Sequence, residues 1–130
     1  MSYGLAGAVQ AAVHAALSAH ADLAGLSVLD AVPPGGVSGT ILLIGAEEVR
    51  DASDATGAGA EHRVEVSVRS DASGFLAAKA AAAAVCDAME GVSLSSGRVV
   101  GVWFQKAKAS RSDDGAERRV DLTFRVRVEA

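Results

Sequence analysis

Three histidines, one cysteine and a scatter of carboxylates are the residues of this chain that could hold a metal ion or attack a substrate. His14 and His20 lie six positions apart. On a helix that is about 600°, which leaves them about 120° apart around the axis, and no cysteine or carboxylate stands beside them at ligand spacing. They read as surface or edge histidines. Asp51 and Asp54 lack the alternating oxygen ligands, the glycine and the distant glutamate of a calcium loop. Gly35-Gly36 and Gly57-Ala58-Gly59 lack the strand, lysine and helix that make a glycine loop cradle phosphate. No spacing suggests a Ser/His/Asp set, and Cys86 has no histidine near it in sequence. The reading is therefore of a chain that is not an enzyme, with no catalytic, cofactor-binding or metal-binding residue.

Composition narrows the alternatives. The formal net charge of -4 leaves no basic excess for binding that depends on neutralising phosphates. Half of the 130 residues are hydrophobic, but many are alanine, and the aromatic residues are three Phe, one Trp and one Tyr. A single domain over residues 1–130 with a thin core of Val, Leu, Ile and Ala is expected. Such a core leaves stabilisation for partner subunits to supply. Cys86 falls on the apolar stripe of a helix and reads as a small buried hydrophobe, which fits an intracellular location. The N-terminus has no basic segment followed by an apolar block. The uncharged run to Ala21 is interrupted by Gln10, His14, Ser18 and His20, so no membrane span is expected.

The elements that would position any functional side chain centre on residues 61–89. In Arg63-Val64-Glu65-Val66-Ser67-Val68-Arg69 the valines alternate with polar residues, the mark of a strand with one apolar face. The turn Ser70-Asp71-Ala72-Ser73-Gly74 offers Asp71 and Ser73 as N-caps. A helix follows, with Phe75, Ala78, Ala82, Val85 and Met89 on one stripe, Ala81 and Cys86 widening it, and Lys79, Asp87 and Glu90 on the other side. Its alanines let it lie close to a sheet.

In chain order, the first helix is expected from Ser2 or Tyr3 to Ala19, with Ser2 as cap and a start weakened by Gly4 and Gly7. Ser27–Val32 reads as a short strand stopped by Pro33-Pro34-Gly35-Gly36. Thr40–Gly45 is a continuous apolar run, which asks for cover on both faces from a neighbouring segment or a second subunit. From Glu47 to Ala60 the chain reads as a polar hairpin tip. Arg98–Ala109 is a long strand with apolar groups on both faces, Val100, Val102 and Phe104 on one and Val99, Gly101, Trp103 and Gln105 on the other. Trp103 is expected on the outer side. Ser110–Ala116 is a charged turn, and Val120, Leu122, Phe124, Val126 and Val128 alternate with Arg119, Asp121, Thr123, Arg125 and Arg127 in the last strand. These elements predict an α+β fold, an antiparallel or mixed four- to five-stranded sheet with two helices packed on one face. The other face would carry Arg63, Glu65, Arg69, Asp121, Arg125 and Arg127 in cross-strand ion pairs.

The acidic strand end Ile44-Gly45-Ala46-Glu47-Glu48, the polar Gly/Ala loop, Glu61-His62-Arg63 opening a strand and the alanine-rich helix resemble the tail-completion or tail-terminator proteins of tailed phages, prophages and gene transfer agents. The likeness continues through Val99-Val100-Gly101-Val102-Trp103-Phe104 and the tip Ser112-Asp113-Asp114-Gly115 to the last strand. The resemblance implies a virion structural protein that forms a hexameric ring, caps the tail tube, ends its polymerisation and joins it to the head-side connector, with DNA passing through the lumen without specific binding. It also implies assembly in the host cytoplasm and residence at the tail–neck junction. On that reading Glu47, Glu48, Arg50, Asp51 and Asp54 on one arm, Arg111, Asp113 and Asp114 on another, and Trp103 are the candidate partner contacts. A neck connector protein is the alternative from a neighbouring class, and an unrelated small enzyme or ligand-binding dimer is a further one.

Overall fold

In the computed structural model, which describes residues 3–55 and 57–130, five strands form one mixed sheet in the order β1-β2-β3-β5-β4. The strands are β1 (Ser27–Leu29), β2 (Thr40–Asp51), β3 (Gly59–Ser70), β4 (Arg98–Arg111) and β5 (Arg118–Glu129). Helices α1 (Ala6–Ala19) and α2 (Leu76–Met89) complete the chain, with a 3-10 turn at Ala21–Leu23. Only the β1–β2 pair is parallel. The expected α+β architecture is observed.

The inner face of the sheet is the alternation of the sequence made solid. Val64, Val66 and Val68 from β3 and Val120, Leu122, Phe124, Val126 and Val128 from β5 are all buried. Against them lie Val9, Val13 and Leu17 of α1 and Ala78, Ala81, Ala82, Ala84, Val85, Ala88 and Met89 of α2. Cys86 is only half-buried at the margin of this core rather than enclosed by it.

Several expectations are corrected at the ends of elements. The helical part of α1 starts at Ala6, after Gly4, while the expected cap Ser2 lies outside the described residues. β1 stops at Leu29, short of Val32. Neither Asp71 nor Ser73 caps α2, whose N-cap is Phe75 with no side-chain hydrogen bond. Ser70 organises that turn instead: its Oγ accepts from the Ala72 amide at 3.2 Å and from Thr40 Oγ1 at 3.0 Å. Phe75 therefore precedes the helix stripe, and the Lys79 and Arg118 cations sit 5.5 and 5.7 Å from its ring centre.

The largest correction concerns residues 47–60. Instead of a long polar tip, β2 runs on to Asp51 and β3 begins at Gly59. The strand survives its polar sequence because a bulge between Ile44 and Glu47 shifts the register and lets pairing resume at Glu47↔Val64. Gly45 sits in the bulge with Glu65 close by: a Cβ there would stand 3.2 Å from Glu65 Oε1.

The apolar run of β2 is covered within the chain. Leu42 and Ile44 pair with core-facing Val68 and Val66, so Ile41 and Leu43 point to the other face, yet both are only 6% exposed. Parallel neighbours oblige the connecting chain to return along the sheet, and residues 30–39 make that return between β1 and β2. The run gives no separate argument for a second subunit.

The alanine surface of α2 sets the spacing between helix and sheet. Ala78→Leu should lower unfolding free energy by about 1–3 kcal/mol through overpacking, whereas Ala80→Leu on the exposed side should change it by less than about 0.5 kcal/mol. Urea denaturation of the two variants measures the difference.

Candidate assembly surface

The partner-contact candidates divide between the two ends of the sheet. Gly59 of β3 is level with Glu129 of β5 and, across it, Arg98 of β4, whereas Ser70 is level with Arg118 and Arg111. The β2–β3 tip and the β4–β5 tip are thus at opposite ends, roughly 35–40 Å apart at about 3.3 Å per strand residue. One end carries Glu47, Glu48, Arg50, Asp51 and Asp54, and the other Arg111, Asp113 and Asp114.

At the first end, pairing and local hydrogen bonds stiffen the arm. Glu48 and Arg50 form an exposed ion pair at 3.2 Å, on the outer face opposite Arg63 and Glu61. Asp51 accepts from Ser53 Oγ at 2.7 Å, and that hydroxyl in turn accepts from the Gly59 amide at 3.1 Å. Asp54 accepts from the Gly57 amide at 3.1 Å, and Arg127 donates to the Ala52 carbonyl at 3.3 Å. Glu47 points inward. Its carboxylate meets Nδ1 of the wholly buried His62 at 3.1 Å, while His62 Nε2 has no hydrogen-bond partner among the described residues. This pair is not legible in the spacing of its residues, because the bulge before Glu47 decides which face each residue takes.

The second end is a tight turn. Asp114 accepts from Ser112 Oγ at 2.7 Å and from the Ala116 amide at 2.9 Å, and Gly115 takes a positive φ of 71°. Those bonds, the Ser112 hydroxyl first, hold the Asp114 carboxyl below its ordinary value. Arg118 donates to the carbonyls of Gly115 and Ser73, both at 2.8 Å, tying the turn to the entry of α2. Arg111 and Asp113 are exposed.

Trp103 lies between the ends, in a row that crosses the outer face through Arg125 and Arg63 to Glu48. The Arg125 guanidinium is 4.4 Å from its ring centre. The indole covers Gly101, where a Cβ would come within 2.6 Å of Trp103 Cη2. As expected, Trp103 is on the outer side. The faces of β4 nevertheless differ from a simple alternation, because register shifts fall between Val99 and Gly101 and between Phe104 and Lys106. Val99, Val102 and Phe104 share the inner side, leaving Val100 and Gln105 as bulge residues. Phe104 packs on Phe124 with ring centres 5.9 Å apart but remains 54% exposed, so neither β4 aromatic is enclosed in the core. Val100 and Trp103 on the same edge strand are exposed as well.

A groove of about 710 Å³ between α1 and β1 is lined by Gln10, His14, Leu29 and Asp30 among others, and is broadly open to solvent. His14 stands beside Ser18, and His20 caps the following turn by accepting from the Asp22 amide at 3.2 Å. Among the described residues no group of three or more His, Cys, Asp or Glu is placed to hold a metal ion. Burial, with Asp87 and Glu90 nearby, pushes the Cys86 thiol above its ordinary value, which disfavours the nucleophilic thiolate. No described helix is long and apolar enough to cross a membrane.

Comparison with known proteins gives this geometry a context. The family model described as "Tail completion protein gp17" matches residues 7–129. A chain in the solved structure "Virion of native gene transfer agent (GTA) particle" is 56% identical, with a TM-score of 0.89, over 99% of this chain and 100% of that one. No curated protein matches the chain.

Two measurements check this surface. Gly101→Ala should displace the indole and shift the emission of the chain's single tryptophan, while changing stability by less than about 1 kcal/mol because only the far end of a side chain must move. The depressed Asp114 pKa means that its carboxylate favours the folded turn above the ordinary aspartate value, and this contribution is lost as pH falls through the lowered folded value. An NMR titration should give Asp114 and the Ala116 amide a shared midpoint below that of an unstructured peptide of the same residues, and Ser112→Ala should raise it.

Proposed function

The chain belongs to the tail completion protein gp17 family, and from that premise we propose that it forms a ring, of six subunits, that caps a tail tube and ends its growth. The virion in question is a gene transfer agent or a related tailed particle, a reading supported by the 56% identical chain of such a virion. The role is structural and needs no cofactor.

The observation that carries the proposal, beside the family, is the separation of two differently built ends on one rigid sheet. A head-to-tail ring has two unlike faces. If the sheet spans the ring from face to face, the β2–β3 arm and the β4–β5 turn meet different neighbours. One would engage the tube and the other the head-side connector. A face unlike the end of the tube offers no place for the next ring of tube subunits, so polymerisation stops. DNA crosses the lumen, and the acidic balance of -4 suits passage without retention.

Light scattering after size exclusion, over a range of concentrations and with isolated tail tubes, should find a hexameric mass or binding to tube ends. A deletion strain viewed by electron microscopy should hold overlong tails without heads. Leaking heads beside free tails of normal length would instead assign the chain to the neck connector. A tight dimer that ignores tubes would return it to the class of small ligand-binding proteins.

A further inference from the structure

We infer that the outer face of the sheet, the one turned away from the helices, binds the phosphate backbone of duplex DNA without regard to base sequence. The formal charge of -4 is divided unevenly over the fold. On this face β2 carries Arg50, β3 carries Arg63 and Arg69, and β4 carries Arg98, Lys106 and Lys108. β5 adds Arg119, Arg125 and Arg127. These are nine of the 12 lysines and arginines, whereas only five of the 16 acidic residues, Glu48, Glu61, Glu65, Asp121 and Glu129, share the face. The face is net positive by four, and the three cations and eleven acids elsewhere leave the rest of the chain net negative by eight. The overall charge conceals this, because alternation along each strand sorts side chains by face.

Most of the acids on the face are already matched. Glu48 pairs with Arg50, Glu61 with Arg125, Asp121 with Arg119 and Glu129 with Arg98. Arg63, Arg69, Arg127, Lys106 and Lys108 form no ion pair among the described residues, and Glu65 is the one acid of the face left against them.

The placement of these five cations suits an extended polyanion. Arg63 and Arg69 on β3 and Lys106 and Lys108 on β4 flank β5 on both sides, and Arg127 stands on β5 itself. From the level of Arg127 to that of Arg69 is roughly 26 Å at about 3.3 Å per residue, a length over which one DNA strand presents about eight phosphates. Lys106 and Arg63 share a shallow groove of about 290 Å³ with Glu48, Glu65 and Thr123. Arg69 Nε donates to Ser67 Oγ at 3.4 Å and Arg127 to the Ala52 carbonyl at 3.3 Å. A guanidinium has about five N–H donors, so one such bond orients the head without exhausting it. The aromatic ring of the face, Trp103, lies beneath the Arg125 guanidinium rather than standing free as the anchor of a protein interface. Contact with phosphates alone reads no bases and is released by salt, so DNA can slide past it. The binding needs no ring, but a ring that passes DNA would turn this face to its lumen.

Fluorescence anisotropy with a labelled duplex of about 30 base pairs, between about 50 and 200 mM NaCl, tests this. Neutralising about three to five phosphates should make affinity fall roughly 40- to 500-fold over that range, alike for unrelated sequences. Lys106→Gln with Lys108→Gln should reduce the slope of log affinity against log salt by about 2, and Arg63→Gln by about 1. Lys79→Gln on α2 should leave the slope unchanged. Glu65→Gln should tighten binding, a gain that no folding defect imitates. Absence of duplex binding by the wild-type protein at the lowest salt overturns the proposal, as does a wild-type slope in the Lys106 and Lys108 double variant. Binding of poly-glutamate with no duplex bound assigns the face to an acidic protein and overturns it too. Loss of self-association in the same variants, again with no duplex bound, assigns the face to a second copy. A protein that binds duplex by this face yet forms no ring, alone or on tail tubes, upholds the DNA surface and overturns the ring reading.

Discussion

The pairing of β3 with β5 is the interaction on which the rest of this molecule depends. Twelve positions stay in register from Gly59↔Glu129 to Ser70↔Arg118, with no bulge. Because side chains alternate across a strand, that fixed register presents every core valine of both strands to the same side. A slip of one residue would turn the apolar set of β5 outward and place Arg119, Asp121, Arg125 and Arg127 under the helices. The helices need this unbroken surface, since the alanines of α2 contribute little area each and gain from burial only by lying close against it.

Away from that pair the sheet becomes progressively less regular, and the irregularities are where side chains acquire roles. The bulge in β2 turns Glu47 inward to the buried His62 and leaves Glu48 outward. The two register shifts in β4 place Phe104 on the inner side and Trp103 on the outer, each partly exposed. Bulges also disturb an edge that would otherwise be a uniform template for any strand. An edge of this kind, basic and bulged, restricts which partner can add to it.

The two ends of the sheet differ in construction as well as sequence. The β2–β3 arm is a continuation of the sheet braced by Ser53 and Arg127, while the β4–β5 end is a compact turn closed by Asp114 and fastened to α2 by Arg118. A long, stiff strand pair between them holds these ends at a fixed separation. The chain that holds them so belongs to the tail completion protein gp17 family.

The sequence by itself determined the elements with strong periodicity. The alternation of Val120 to Val128 named the inner face of β5 residue by residue, and the alanine stripe of α2 was legible because small residues at helical spacing have few other uses. The order of elements, with its loop character, carried the resemblance to tail completion proteins. Only the tertiary structure decided the lengths of the hairpin strands, the faces of β4 and the burial of His62. The reason is physical. Residues 47–51 are polar and signal a loop locally, but backbone bonds to a well-formed β3 extend the strand regardless of side-chain type. Bulges arise from the fit between two strands, which neither strand records alone, and each one reverses the alternation from which faces are read. The same holds for the division of the candidate contacts between two ends: the register of β3 with β5 set it.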